Sequence, residues 1–131
     1  MTTDPNVPIH LAGLLRIDPT AARPPYEQIR LGVIELIGSG KILVGARIPT
    51  VRALASDLRL APNTVARSYR ELEAGGNIET RGRHGSFIKA GPDARLAAAQ
   101  NTTVEHVKSL RELGFDDAAI LDMLRRALGW S

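Results

Sequence analysis

Three polar side chains lie close together at the start of a predicted helix near the middle of the chain. Asn63, Thr64 and Arg67 follow Pro62, a residue that suits the first turn of a helix. Their amide, hydroxyl and guanidinium groups can hydrogen-bond to base edges in the major groove of DNA, where Asn pairs with adenine and Arg with guanine. The pattern therefore favours contact with double-stranded DNA. The alternative is the solvated polar face of an ordinary three-helix domain.

The residues before this helix predict two more helices that would hold it in place. Apolar residues recur every three or four positions over 25–38, which predicts an amphipathic helix. Segment 40–49 is rich in glycine and aliphatic residues and is predicted as a connector with at most a short strand. Thr50 is a good N-cap for a second helix over 51–58, and the third helix is predicted over 62–74.

The third helix has one apolar side and one polar side. Val65, Tyr69 and Leu72 form the predicted buried stripe. The opposite side is expected to face solvent or DNA, and we include Ser68 and Arg70 in it. The predicted DNA contacts on this helix are Asn63, Thr64, Arg67, Ser68 and Arg70.

A basic hairpin is predicted directly after the third helix. Segments 77–81 and 86–90 carry β-forming residues and flank a glycine-bracketed turn. The turn places Arg81, Arg83 and His84 at a cationic tip, which could contact DNA. A basic turn that is merely solvated is the alternative.

The charge of the chain is concentrated in the same region. The net charge is +3, but segment 47–90 alone has an excess of four basic residues, and 14 of the 17 basic residues are Arg. The Arg guanidinium fits phosphate and the guanine edge better than an ammonium does. This distribution favours a nucleic-acid partner, and the alternative is a solvated surface that happens to be basic.

The composition excludes several other classes of protein. There is no cysteine, which rules out disulfides, thiol nucleophiles and Cys-ligated zinc. The chain has no apolar run long enough to cross a membrane, and residues 1–8 lack the design of a signal peptide. We therefore expect a cytoplasmic protein with no membrane partner.

The last part of the chain, 91–131, is predicted as two helices separated at Gly114, the second of them capped by Asp116. Their apolar faces cannot be buried within so short a segment, so they need the first domain, a second copy of the chain, or both. The predicted dimerisation residues are Leu96, Val107, Leu110, Ile120, Leu121, Leu124 and Leu128.

These elements together predict a mainly α fold with a small β-hairpin: a winged helix-turn-helix followed by a two-helix dimerisation tail. The predicted domains are an N-terminal arm over 1–23, a DNA-binding domain over 24–90 and a helical tail over 91–131. The arm is expected to be largely loose, except that the apolar patch 14–17 either adds an edge strand or packs on the core.

Four stretches of the chain, in this order, closely resemble the DNA-binding domain of the GntR regulators. They are PYEQI at 25–29, GKILVGARIPTVRALA at 40–55, PNTVARSYRELE at 62–73 and IETRGRHGSF at 78–87. The short two-helix tail resembles the YtrA branch of that family, whose members lack a large effector domain and use the tail to dimerise. The resemblance implies a bacterial, homodimeric transcription regulator that binds a pseudo-palindromic operator, with repression as the usual outcome.

The resemblance also implies roles for individual residues. Thr50 and Arg52 begin the second helix where the family contacts DNA, and Gly85 with His84 corresponds to the wing tip. Two residues depart from the family pattern. Val44 replaces a common proline, and Asn77 replaces a bulky apolar residue, from which we expect looser packing of the wing.

Two other functions fit the sequence less well. An enzyme lacks support because His10, His84 and His106 have no carboxylate partner at a recognisable spacing and no phosphate-binding glycine loop is present. The chain is also too short for the aminotransferase branch of the GntR family. A winged-helix module that binds another protein would lose the polar helix face and the basic hairpin. We expect no cofactor, no metal and no catalytic residue, and we leave open an unidentified small-molecule effector.

Overall fold

The computed structural model describes residues 7–130 and divides into two compact units, one up to Ala98 and one from Ala99 onward. Residues 1–6 of the predicted N-terminal arm lie outside the described residues, as does residue 131. The described part has the predicted fold class, a mainly helical winged helix-turn-helix followed by two helices.

Three helices build the first unit: α1 (Pro25–Gly38), α2 (Val51–Leu58) and α3 (Pro62–Ala74). Proline occupies the first turn of α1 and of α3, where a missing N–H costs nothing. The N-cap predicted for α2 is confirmed, since the Thr50 hydroxyl oxygen accepts a hydrogen bond from the Ala53 N–H at 3.1 Å. Between these helices the fully buried side chains include Ile29, Val33, Leu54, Val65 and Leu72.

The turn between α2 and α3 depends on one residue with left-handed backbone geometry. Arg59 has φ 57° and ψ 44°, and its conformation allows the Leu60 N–H to donate to the Ala55 carbonyl at 2.9 Å. Glycine is the usual residue at such a helix end, because a Cβ atom is crowded there. The turn sets the angle between the two helices at the expense of local strain at Arg59.

A small antiparallel sheet completes the first unit. Its strands are β1 (Arg47–Ile48), β2 (Ile78–Thr80) and β3 (Ser86–Ile88), with β3 in the middle. The hairpin of β2 and β3 confirms the predicted wing. The connector over 40–49 was predicted to contain at most a short strand, and β1 is that strand. The pairing of β1 with β3 joins the wing to the residues just before α2.

The N-terminal segment is packed more tightly than the sequence predicts. Leu11 is fully buried and Leu15 is 8% exposed, and both belong to the main hydrophobic core. The Ile9 N–H also donates to the Arg47 carbonyl at 2.9 Å, next to the sheet. The prediction of a largely loose arm is wrong for Leu11, because its side chain is removed from water into the core. The burial of Leu15 agrees with one of the two alternatives expected for patch 14–17, that it packs on the core.

The predicted tail consists of α4 (Pro92–Glu112) and α5 (Asp117–Ala127), separated at Gly114 as expected. The predicted cap of α5 is confirmed, since the Asp116 carboxylate accepts from the Ala119 N–H at 2.9 Å. The first turn of α4 still belongs to the first unit, where Ala94 is fully buried. Among residues 7–130 no helix combines the length and apolar character needed to cross a membrane.

Candidate DNA interface

The polar side of α3 is open to solvent along most of its length. Asn63, Arg67 and Arg70 are exposed or partly exposed, while Thr64 is half-buried. The apolar stripe on the other side, exemplified by Val65, is buried as predicted. An amide and two guanidinium groups therefore share one solvent-facing surface of this helix, and the donors that a major groove requires are brought together there.

Arg67 is held at the edge of this surface by neighbours on α1 and α3. Its guanidinium carbon lies 3.7 Å from the centroid of the Tyr26 ring, which is a cation–π contact. Its Nε atom lies 3.7 Å from an Oε atom of Glu71, one turn further along α3. The side chain nevertheless keeps 54% of its surface exposed, so it remains available to a partner.

Ser68 does not belong to the polar side of α3, and its prediction as a DNA contact is wrong. Its side chain is fully buried, and within residues 7–130 its hydroxyl has no hydrogen-bond partner. The reason is helical phase: Ser68 lies three residues after Val65 and four before Leu72, so it falls inside the apolar stripe. A polar residue type was mistaken for a polar position.

The start of α2 lies beside α3 and is fixed to it by a buried hydrogen bond. The Tyr69 hydroxyl donates to the Pro49 carbonyl at 2.7 Å, directly before the N-cap Thr50. Burial raises the pKa of the Tyr69 phenol well above its usual value, so the phenol remains a proton donor. Arg52 is exposed in the first turn of α2. The hydrogen bond therefore fixes the position of Arg52 relative to the polar side of α3.

Of the predicted wing-tip residues, Arg81 makes contacts within the chain, and Arg83 and His84 are exposed. Arg81 forms a 2.5 Å ion pair with Glu79 and stacks on the Phe87 ring at 4.3 Å. Hydrogen bonds from Arg81 and then Lys89 lower the pKa of the partly exposed Glu79 carboxyl, which keeps it charged. Arg83 and His84 are exposed at the tip. The charges of Arg81 and Lys89, which lie just outside the strands, are thus partly neutralised by Glu79, and Arg83 supplies exposed positive charge at the tip.

Gly85 allows the wing to turn back beside the sheet. Its φ of 99° and ψ of −163° are accessible almost only to glycine. A Cβ atom at this position would lie 2.9 Å from Nε of Arg47, so a side chain would also displace that arginine. The glycine is therefore required by the backbone conformation, and a side chain here would in addition force the Arg47 side chain to shift.

Asn77 fixes the wing in place, contrary to the expectation that it loosens the packing. It is 2% exposed, and its side-chain oxygen accepts a hydrogen bond from the Gly91 N–H at 3.2 Å. Its backbone carbonyl accepts from the Lys89 N–H at 2.8 Å. A polar side chain is used here because a buried backbone N–H needs an acceptor.

Comparison with known proteins identifies the family. Residues 25–88 match the model of the bacterial regulatory proteins of the gntR family. The chain is 45% identical over 108 residues to the HTH-type transcriptional regulator Rv1152 of Mycobacterium tuberculosis, covering 81% of this chain and 87% of that protein. This chain belongs to the GntR family. It is also 37% identical over 98 residues to the HTH-type transcriptional repressor YtrA of Bacillus subtilis, covering 74% of this chain and 75% of the repressor.

A solved structure supports the same assignment for this GntR protein. The fold is similar to that of YtrA from Sulfolobus acidocaldarius, a GntR-family transcription factor, with a TM-score of 0.56 and 28% identity. The similarity covers 75% of this chain and 98% of that one. The chain is thus a GntR-family DNA-binding transcription regulator of the YtrA type, and its relatives Rv1152 and YtrA are regulators of transcription.

Helices α4 and α5 of this GntR protein expose a large amount of apolar surface. Of the predicted dimerisation residues, Leu96, Leu121 and Leu128 are more than half exposed, and Val107, Leu110 and Leu124 are half-buried. Ile120 is only 4% exposed, so it is already covered within the chain. Further large apolar side chains outside the predicted dimerisation residues are also exposed: Val104, Leu113, Phe115 and Trp130.

Sequence reasoning missed three residues that shape this interface. They are Tyr26, Glu71 and Arg47, none of which is among the predicted DNA contacts. Each acts on a predicted site residue through a contact between elements that are distant in sequence, apart from Glu71, whose spacing of four from Arg67 could have revealed it. The described residues contain no group of three or more His, Asp or Glu side chains that could hold a metal ion.

Proposed function

We propose that this GntR regulator binds a pseudo-palindromic operator as a homodimer and represses transcription from it. The observation that carries the proposal is the exposed polar side of α3, flanked by the exposed start of α2 and by the basic tip of the wing. Repression is proposed because the similar protein of Bacillus subtilis is named a repressor. The proposal includes no catalytic step. The protein is proposed to act in the cytoplasm, where it can reach chromosomal DNA.

The proposed division of labour follows from chemistry. Asn63, Thr64 and Arg67 lie near the N-terminal end of α3 and read base edges, since these groups can discriminate between base pairs. Thr50, Arg52 and Arg70, together with Arg81, Arg83 and His84 of the wing, contact sugar and phosphate oxygens. Gly85 lets the wing backbone approach the DNA.

The homodimer is proposed from the exposed apolar residues of α4 and α5. Large contiguous apolar surfaces are uncommon on monomers and mark interfaces. A two-fold dimer would bring two copies of α3 to successive major grooves, about 34 Å apart for one helical turn. Leu121→Asp tests this because Leu121 is 52% exposed, so a large part of its apolar surface is available to a second copy of the chain. We expect a dimer-to-monomer change in light scattering, with Ser109→Asp on exposed α4 surface as the charge control. If the Leu121→Asp protein is still a dimer, the tail is not the dimer interface.

DNA binding is tested by selecting fragments from a genomic library and titrating salt on the best fragment. We expect affinity to fall steeply between about 50 and 200 mM salt, because displaced counterions drive phosphate binding. Arg67→Ala should reduce operator affinity by about 1 to 3 kcal/mol and spare random DNA, whereas Arg52→Ala should weaken both. If no fragment shows salt-sensitive binding, a protein is the favoured partner of this winged helix instead. Equal losses of operator and random binding in both variants would contradict the division into base and phosphate contacts.

A further inference from the structure

The guanidinium of Arg67 is held by contacts on one side and is exposed to solvent elsewhere. The two contacts that hold it are the ring of Tyr26 beneath its plane and Glu71 beside its Nε atom. Within residues 7–130 its two terminal Nη atoms make no hydrogen bond, and the side chain keeps 54% of its surface exposed. These Nη atoms are the ones that can pair bidentately with O6 and N7 of guanine. The structure therefore leaves open the atoms that recognition requires.

The contacts that hold Arg67 are themselves anchored on α1. Glu71 faces Arg30 at 3.6 Å, and Arg30 in turn pairs with Glu27 one turn earlier on α1. The hydrogen bond from Arg30 lowers the pKa of Glu27, which keeps that carboxylate charged. Arg30 and Glu27 are each only 25% exposed, so their pairing is better shielded from water than the exposed ion pairs of the wing.

We propose that Tyr26 is a specificity-determining positioning residue, which holds the guanidinium of Arg67 ready to recognise a guanine in the operator. An arginine side chain has many rotamers, and ordering it at an interface opposes binding. Stacking on a half-buried ring fixes the plane of the guanidinium before DNA arrives, so less ordering remains to be done. The inference rests on the proposed base-reading role of Arg67.

The positioning role distinguishes operator from random DNA. A guanidinium that is already ordered by stacking raises affinity only where a guanine presents its two acceptors at the matching position. At a random sequence the same arginine contributes mainly its charge, which does not depend on the plane of the guanidinium. Loss of Tyr26 stacking should therefore lower the ratio of operator to random affinity and leave the salt dependence unchanged.

The test compares Tyr26→Leu with Tyr26→Phe, which keeps the ring and removes only the hydroxyl. We expect Tyr26→Leu to lower operator affinity about two- to fivefold, the range of an exposed cation–π contact, with random-duplex affinity unchanged. Tyr26→Phe should retain the operator affinity of the parent. Glu71→Gln, which frees the Nε atom without touching the core, should also lower the operator-to-random ratio, so the inference stays testable if Tyr26→Leu unfolds.

A double-mutant cycle separates this inference from the proposed function. In an Arg67→Ala background, Tyr26→Leu should cause no further loss of operator affinity, because the side chain it positions is absent. A similar loss in both backgrounds, or an equal loss on operator and random DNA, would overturn the positioning role alone. If Arg67→Ala leaves operator affinity unchanged, the base-reading role of Arg67 fails, and the positioning role fails with it.

Discussion

Replacing Ser68 with alanine should stabilise this protein. Its hydroxyl is fully buried in α3 and has no hydrogen-bond partner within the described residues. A buried polar group without a partner costs about 1 to 3 kcal/mol, and alanine adds up to about 0.5 kcal/mol of helix propensity. Loss of the oxygen's packing contacts offsets part of this gain. The expected net effect of Ser68→Ala is a free energy of unfolding higher by roughly 1 to 2 kcal/mol.

Thermal and urea unfolding measure this effect. For a unit of about 100 residues, each kcal/mol raises Tm by about 4 to 8 °C. Ser56→Ala is the matched control, because Ser56 is an exposed serine in α2 and reports helix propensity without a burial term. Operator affinity should be the same for Ser68→Ala as for the parent. A destabilised Ser68→Ala protein would mean that the hydroxyl has a partner in solution, and a loss of operator affinity would restore Ser68 as a DNA contact.

Three further substitutions test single features of the fold. Arg59→Gly should raise the free energy of unfolding by about 1 kcal/mol because it relieves the left-handed backbone, whereas an alanine there should give no gain in the same thermal assay. Gly85→Ala should disorder the wing and weaken operator binding, since its backbone geometry costs about 1 to 3 kcal/mol for other residues. Gly82→Ala should change binding less, because its φ of 55° lies in the left-handed region that other residues adopt at a smaller cost, and no atom lies within 4 Å of its Cβ. Asn77→Ala should lower the free energy of unfolding by about 1 to 3 kcal/mol by leaving the Gly91 N–H unpaired, and urea unfolding with no change would show that this N–H is solvated.

The helix boundaries of the first unit could be predicted because the residues that set them are local. Thr50 caps α2, and Pro62 begins α3, in each case through a group within a few residues of the helix start. The exposed donors of the candidate interface were likewise predictable from residue type. Arg67 and Arg52 are accessible where the sequence placed them.

What escaped prediction depends on phase and on distant contacts. Ser68 was assigned by its polarity, but its spacing from Val65 and Leu72 decides its burial. The stacking of Arg67 on Tyr26 joins two helices that are distant in sequence, and no local pattern indicates it. Contacts of this kind decide which of the exposed arginines are ordered by stacking and ion pairs.

The burial of the N-terminal leucines affects how a DNA-binding fragment of this protein should be cut. The family match spans 25–88, yet Leu11, Leu15 and Ala94 outside it are all part of the main core. Emptying the site of one buried leucine typically costs about 2 to 5 kcal/mol, a large share of the roughly 5 to 15 kcal/mol that keeps a typical domain folded. A fragment trimmed to the matched boundaries would thus be left with holes in its interior, whereas one that begins before Ile9 and runs through Ala98 keeps these side chains.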